Sequence, residues 1–489
     1  MRRVAIALAL FVALSGTAAA QTILGTAKAE RLRGTTTADL IDAVGGGRDT
    51  VICRAGRDVV TADQSDRIGS DCEVVSRRIS TDLLNGPGQH QTQVEPSVAA
   101  SGSTLVAAFQ VGRFFDGAAA GIGWATSLNG GRTWRSGLLP AVTALQQPPG
   151  TVQRASDPTV AYDALHRTWL VVTLGVSTGL SNVAVSRSPD GLTWSPPVIV
   201  TQAVRGALAY DKEWIGCDNG ATSPFRGNCY VVYTDFVGNR LTVQVSRDGG
   251  ATWQQGVAAS VDARADVVGA LPVVQPNGAL TIVFLAGDLG VFAVRSSDGG
   301  TTWSPRVGIS PLDAIIPNDL RVPPLPAAAV DAAGRIYVVW ADCGLRPTCS
   351  GTDIVLTTSD DALTWSEPLT VPGIGSDRFI PAIATDPSTA GRLGLLFYYL
   401  APSGCAPTDC RIGSAFTRSS DGGATWSAPQ RLATRLMPYS WLADTQGGAF
   451  FGDYVGAAFA EDAFVPVFTL AQPPTRGTKH EAMFSARLR

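Results

Sequence analysis

Lysine, histidine and methionine are scarce in this chain of 489 residues, at three each, while arginine occurs 35 times. His90, His166 and His480 lie far apart, which argues against a histidine-built metal centre or a serine triad. No Cys-x-x-Cys, phosphate loop or dinucleotide fingerprint is present. Long hydrophobic runs are missing too, so no transmembrane segment is expected. The one apolar stretch, residues 4–14, follows Met1-Arg2-Arg3 and leads to Ala18-Ala19-Ala20. A charged start, a short apolar core and small residues at a cut site mark residues 1–20 as a secretory signal peptide. The mature chain is therefore expected to be secreted and extracellular. A formal net charge of −3 without a basic face gives no reason to expect a nucleic-acid partner.

The eight cysteines fall into four close pairs: Cys53 and Cys72, Cys217 and Cys229, Cys343 and Cys349, Cys405 and Cys410. Each pair brackets a turn-rich stretch, so nearest-neighbour disulfides are expected, in keeping with export.

Two repeats are present. From Gly25 to Glu73, the acids Glu30, Asp39, Asp49, Asp58 and Asp66 are each followed two positions later by Leu32, Ile41, Val51, Val60 and Ile68. The steps between acids are 9, 10, 9 and 8. A longer motif, Ser-x-Asp-x-Gly-x-Thr-Trp, recurs six times and claims six of the 11 tryptophans. Its copies are read at Ser127–Trp134, Ser188–Trp194 (one residue shorter), Ser246–Trp253, Ser296–Trp303, Thr358–Trp365 (with Ala362 for the glycine) and Ser419–Trp426. A fixed period of this length means one supersecondary unit copied around a ring or along a stack. Each unit opens with a short apolar strand after an acid or proline, as in Glu95-Pro96 and Asp157-Pro158, and continues through β-branched and aromatic strands. Four antiparallel strands per unit make a propeller blade. The predicted fold is therefore all-β: a propeller over residues 95–489, counted as seven blades with six as the alternative count. It is preceded by a small β-roll-like segment at 21–75 and a linker and closing strand at 76–94, with Ile79–Leu84 expected to complete the last blade.

In a propeller the innermost strands meet at the axis. The residues at their starts are Glu95, Arg154, Asp157, Asp211, Lys212, Glu213, Arg321, Arg378, Asp453 and Tyr454. This mixture of guanidinium and carboxyl groups suits an anionic sugar. Its alternative reading is a set of blade-edge salt bridges.

The short repeat resembles the nonapeptide of RTX-type calcium rolls, with Gly45-Gly46-Gly47-Arg48-Asp49 and Gly56-Arg57-Asp58 as its best copies. That resemblance implies Ca²⁺ near Asp49 and Asp58, with a metal-free cap as the alternative. The long motif resembles the Asp-box, or BNR repeat, whose aspartate, glycine and hydroxyls brace a hairpin on the outer rim. Asp-box propellers are best known from the sialidase (neuraminidase) superfamily, and this chain looks like a distant member. The resemblance implies a retaining exo-α-sialidase with a tyrosine nucleophile, a glutamate partner, an aspartate acid–base and three arginines for the sugar carboxylate. Position by position these are Tyr454 (with Tyr439 competing), Glu213, Asp157, and Arg154, Arg321 and Arg378. No cofactor is required for catalysis, and the implied partner is a glycan or glycoconjugate met as a monomer. A non-catalytic propeller binding glycans or proteins at the cell surface is the alternative.

Overall fold

The computed structural model describes residues 21–84, 86–204, 209–261, 267–287, 290–402 and 404–489. The expected signal peptide, residues 1–20, lies outside them. No α-helix occurs among the described residues, and no helix is long and apolar enough to cross a membrane. All four expected disulfides are present.

The short repeat winds as a two-sided parallel coil. Thr22–Leu24, Leu40–Ala43, Val59–Ala62 and Val74–Arg78 stack on one side, and Arg31–Arg33, Thr50–Ile52 and Arg67–Ile68 on the other. Leu32, Ile41, Val51 and Val60 point into a narrow interior joined by Cys53. The acids hold the coils together. The Asp49 carboxylate accepts from the Glu30 amide (2.8 Å), Asp58 from Asp39 (2.7 Å) and Asp66 from Asp49 (2.9 Å). Each acid thus caps an orphan amide one full coil earlier, a service any buried backbone donor requires.

The remaining strands form antiparallel sheets in chain order. Their leading strands are Gln89–Ser101, Arg154–Asp163, Tyr210–Cys217, Val267–Val274, Ala327–Val330, Arg378–Thr385 and Gly456–Ala460. Each leading strand touches the next, and the last touches the first, so the sheets close into a propeller-like ring. The last sheet is completed by Val74–Arg78, which pairs antiparallel with Thr478–Ala486 (Arg78 opposite Phe484). Ile79–Leu84 is therefore not the closing strand. Ser76 and Arg77 already satisfy both edges, parallel to the coil (Thr61 and Ala62) and antiparallel to the ring (Ala486 and Ser485), and beyond Ile79 the chain leaves the sheet. One strand thus welds the coil to the ring.

The long repeated motif braces its hairpins as its chemistry requires. Ser296 Oγ donates to Asp298 (2.8 Å) and accepts from the Gly300 amide (2.9 Å), while Asp298 accepts from the Thr302 amide (2.9 Å) and hydroxyl (2.6 Å). The fifth copy is in a different phase from the one read in the sequence. Ser359 and Asp361, not Thr358 and Asp360, make the turn, with the Ala362 amide donating to Ser359 Oγ at 2.7 Å. This copy matches the shorter one at Ser188–Trp194, and Asp360 instead pairs with Arg335. Each box packs on the preceding sheet: Thr126 donates to the carbonyl of Gly191, and Gly131 lies against Val465 of the last sheet.

Burial opposes the hydrogen bonds from the Thr302 hydroxyl and amide, the Ser296 hydroxyl and the Thr301 amide, which together hold Asp298 down to about 2. The hydroxyl and amide of Thr425 hold Asp421 at the same level. Depressed carboxyl pKa values stabilise the fold above the unfolded value near 3.8, and that contribution is lost as pH falls toward 2. Scanning calorimetry should therefore show a Tm that falls as pH drops below about 4. An Asp298→Asn, Asp421→Asn double variant should lose part of that slope; an identical slope would contradict this role.

Candidate functional site at the ring axis

Five leading strands carry the same distortion near their starts. Pairing with the second strand slips between Val94 and Ser97, Ser156 and Thr159, Asp211 and Trp214, Val268 and Leu271, and Phe379 and Ala382. Each slip holds one residue of positive φ: Glu95 (54°), Asp157 (47°), Lys212 (50°), Gly269 (71°) and Ile380 (47°). A bulge inserts an unpaired residue and re-aims its side chain. For Glu95, Asp157 and Lys212 this left-handed backbone is costly, and such strain persists only where the surroundings fix it. Here it turns three charged side chains toward one another.

Lys212 is the centre of the result. Its Nζ lies 2.6 Å from Asp453 Oδ2, 3.1 Å from Asp157 Oδ1 and 3.5 Å from Glu95 Oε1. Arg321 grips Asp453 with two nitrogens, Nε at 2.9 Å and Nη2 at 2.5 Å. The hairpin formed by Ala443–Thr445 and Gly448–Phe450 docks beside Arg321, whose amide donates to the Ala449 carbonyl at 3.0 Å. It places the Phe450 ring between two guanidiniums, Arg113 at 4.4 Å and Arg321 at 4.8 Å from the ring centre. Arg113 also donates to Gln110 (2.8 Å), which in turn donates to Glu95 and to Ser156 (3.0 Å).

A cavity of about 750 Å³ opens above this cluster, lined by Arg113, Arg154, Asp157, Asp211, Lys212 and Arg321 among others. Protonation states divide sharply there. Burial raises Glu95 to about 8, with Lys212 pulling the other way. Burial and the Asp157 charge push Asp211 to about 7. Burial also works against Asp157 and Asp453, but the Lys212 ammonium together with hydrogen bonds, and with Arg321 for Asp453, holds both below the usual carboxylate range. At neutral pH and below, the cluster holds Arg113, Lys212 and Arg321 as cations and only Asp157 and Asp453 as full anions. Its surplus is positive.

Residues 103–372, more than half the chain, match the family described as BNR repeat-like domain. The chain belongs to the BNR repeat-like domain family. No curated protein matches it. Among solved structures it is similar to a protein of unknown function from Dyadobacter fermentans, 16% identical over 69% of this chain and 98% of that one, with a TM-score of 0.44. The NanB sialidase from Streptococcus pneumoniae is 12% identical over 84% and 70%, with a TM-score of 0.44. An ulvan lyase of a new polysaccharide lyase family is 12% identical over 83% and 94%, with a TM-score of 0.47.

Within this BNR ring the expected site residues separate into groups. Asp157, Arg154 and Arg321 line the cavity. Arg154 is held by Asp116 (2.6 Å) and stacks 4.0 Å over Phe114. Arg378 does not join them. It pairs with Asp353 beside Arg346 and donates to the carbonyl of Gly375 (3.2 Å), so its guanidinium braces a loop. At this blade the bulge presents Ile380 rather than a charged side chain, and Asp353 takes the Arg378 guanidinium.

Tyr454 is buried below the charged cluster, on a narrow axial channel of about 160 Å³ that it shares with Trp214 and Val160. Its hydroxyl donates to the Pro158 carbonyl at 3.1 Å, and burial, then nearby carboxylates, push it well above its ordinary value. Glu213 is fully buried, and neither carboxyl oxygen has a partner among the described residues; burial followed by Asp157 raises it far above the carboxylate range. Tyr439 stands in the 3-10 turn Tyr439–Trp441, with burial raising it to about 12.

Asp49 and Asp58 do not share a site. Successive acids of the coil alternate between two ladders, Glu30–Asp49–Asp66 and Asp39–Asp58–Glu73, so these two belong to different sides. Calcium needs about 6–8 oxygens around it, and no group of three or more acidic, histidine or cysteine side chains converges among the described residues.

Arg113 and Asp116 were not anticipated from the sequence. They lie at the end of a second strand and in its following turn, not at the start of an inner one. The available signal was the polar Gln110 and Arg113 closing an otherwise apolar strand.

Proposed function

We propose that this chain acts on glycans carrying an anionic group, at the mouth of a seven-bladed ring, as a secreted glycoside-cleaving enzyme. The observation that carries the reading is the convergence on one cavity of charged side chains from separate blades, with a cationic surplus and two carboxyl groups held in opposite protonation states. Asp211, protonated up to about pH 7, gives its proton to the leaving oxygen as the glycosidic bond breaks, water adds to the anomeric carbon and returns a proton to Asp211, and Asp157 is the ionised neighbour that keeps Asp211 protonated. Arg113, Arg154 and Arg321 hold the sugar's carboxylate or sulfate. The four disulfides suit an oxidising compartment.

The exo-sialidase form of this reading requires Tyr454 as nucleophile, activated by Glu213. Its phenol is engaged with a backbone carbonyl and hard to ionise, and Glu213 is held neutral, so proton transfer is assigned to the aspartates. A second reading, binding without turnover, is favoured by one observation: Lys212, Arg321 and Arg154 are all already ion-paired.

The test is product release from a panel of sialosides, uronic acid oligosaccharides, sulfated oligosaccharides and their neutral counterparts. Turnover is expected on an anionic substrate and should be lost in Asp157→Asn. Binding with no turnover from pH 4 to 8 would replace the catalytic reading with the second one.

A further inference from the structure

A cavity of about 810 Å³ lies away from the axis, between the parallel coil and the last sheet. One wall is the coil turn around Gly45 and Gly46, whose amides both donate to Asp63 at 3.2 Å. The floor is one face of the last sheet. Phe484 stands opposite Arg78 across the closing strand pair, and His480 opposite Gln472 across the next. His480, Ala482 and Phe484 alternate onto that face by the two-residue period of a strand, while Met483 packs into the core behind it.

Arg78 sets this cavity apart from a packing gap. Its Nε donates to the Ser80 carbonyl at 3.2 Å, but its terminal nitrogens have no acceptor among the described residues. Arg435, on the same wall, is already paired with Asp42. A planar, permanently charged fork with free donors, beside amide and hydroxyl side chains and an apolar floor, matches a carboxylate or sulfate attached to a hydroxylated ring. Where a Cβ on Gly46 would stand, the space is open, so the rim admits an extended chain.

We propose that this groove is a second saccharide site, anchored by Arg78 on a sugar bearing a carboxylate or sulfate; the sugar class rests on the glycan reading of the axial cavity. It gives the coil a task, since the coil supplies one wall here and no residue to the axial cavity.

Calorimetric titration of the full chain with tetragalacturonate tests this, in an Asp211→Asn background to prevent turnover. Two sites per chain are expected. Arg78→Gln should weaken one by at least about tenfold, Arg78→Lys should weaken it less, and the carboxyl-reduced tetrasaccharide should not occupy it. Sodium sulfate alone should compete only weakly. An isotherm unchanged by Arg78→Gln in a variant of unchanged Tm would overturn the proposal, as would displacement by sulfate at equal concentration or the absence of any tetragalacturonate binding. If Arg78→Gln removes a site and Arg321→Gln removes none, the axial reading fails and this one stands.

Discussion

Lys212→Met is expected to destabilise the protein by about 3–5 kcal/mol, the cost typical of breaking a buried ion cluster by removing one partner. The ammonium faces Asp453, Asp157 and Glu95, and all three carboxyls are buried. Glu95 already resists ionisation, so the loss falls on Asp157 and Asp453, which depend on Lys212 to remain charged. Arg321 still holds Asp453, leaving Asp157 the most exposed to the change. The pH signature follows from the direction of those shifts. Both wild-type carboxyls have depressed pKa values, so their stabilising contribution exists above the unfolded value near 3.8 and fades as pH falls. The gap between wild type and variant should therefore be full near pH 7 and narrower below about pH 3, measured by denaturant unfolding. An equal gap at both values would show that the lysine acts through its alkyl chain rather than its charge.

Asp211→Asn is expected to lower kcat by about 10²–10⁴, the usual contribution of a positioned general acid. Its carboxyl titrates at about 7 because it is buried beside the Asp157 charge. The acid form is the active one, so the wild-type rate should fall as pH rises through about 7, and this alkaline limb should be absent from the residual rate of the variant. Ionisation of Glu95 at about 8 adds a second loss, since the cluster, already neutralised by Asp211, then turns net negative and repels the substrate. Tyr454→Phe is the discriminating control: with the phenol tied to Pro158, it should cost less than about tenfold in rate. A larger loss from Tyr454→Phe than from Asp211→Asn would return the chemistry to the tyrosine.

Periodic features were legible in the sequence because one physical need repeats. Every box requires an oxygen acceptor, a tight turn and an apolar plug, so Asp298, Gly300 and Trp303 recur at fixed spacing. Likewise Leu32, Ile41, Val51 and Val60 must all fill the same narrow interior. The axial set was partly readable, since Asp157, Lys212, Arg321 and Asp453 stand at or near the starts of inner strands. The bulge was not. A positive φ at Glu95 or Ile380 leaves no mark in residue type, and that conformation decides which residue of each strand reaches the axis. Arg378 stands at the start of an inner strand like the others, yet the bulge admits Ile380 and leaves the arginine to Asp353. Arg113 was missed for the opposite reason: it arrives from a second strand, and only the fold brings it to Phe450 and Glu95. The fifth box was misphased because Asp360 and Asp361 are adjacent, and only the hydrogen bond from Ser359 selects between them.

The crystal structure of the Asp211→Asn variant with a bound anionic oligosaccharide tests the central claim most directly. The account predicts the sugar's acidic group against Arg113, Arg154 or Arg321, and its glycosidic oxygen within hydrogen-bond reach of residue 211. A sugar bound only at the rim, with Lys212 and its three carboxylates untouched and the axial cavity unfilled, would contradict it.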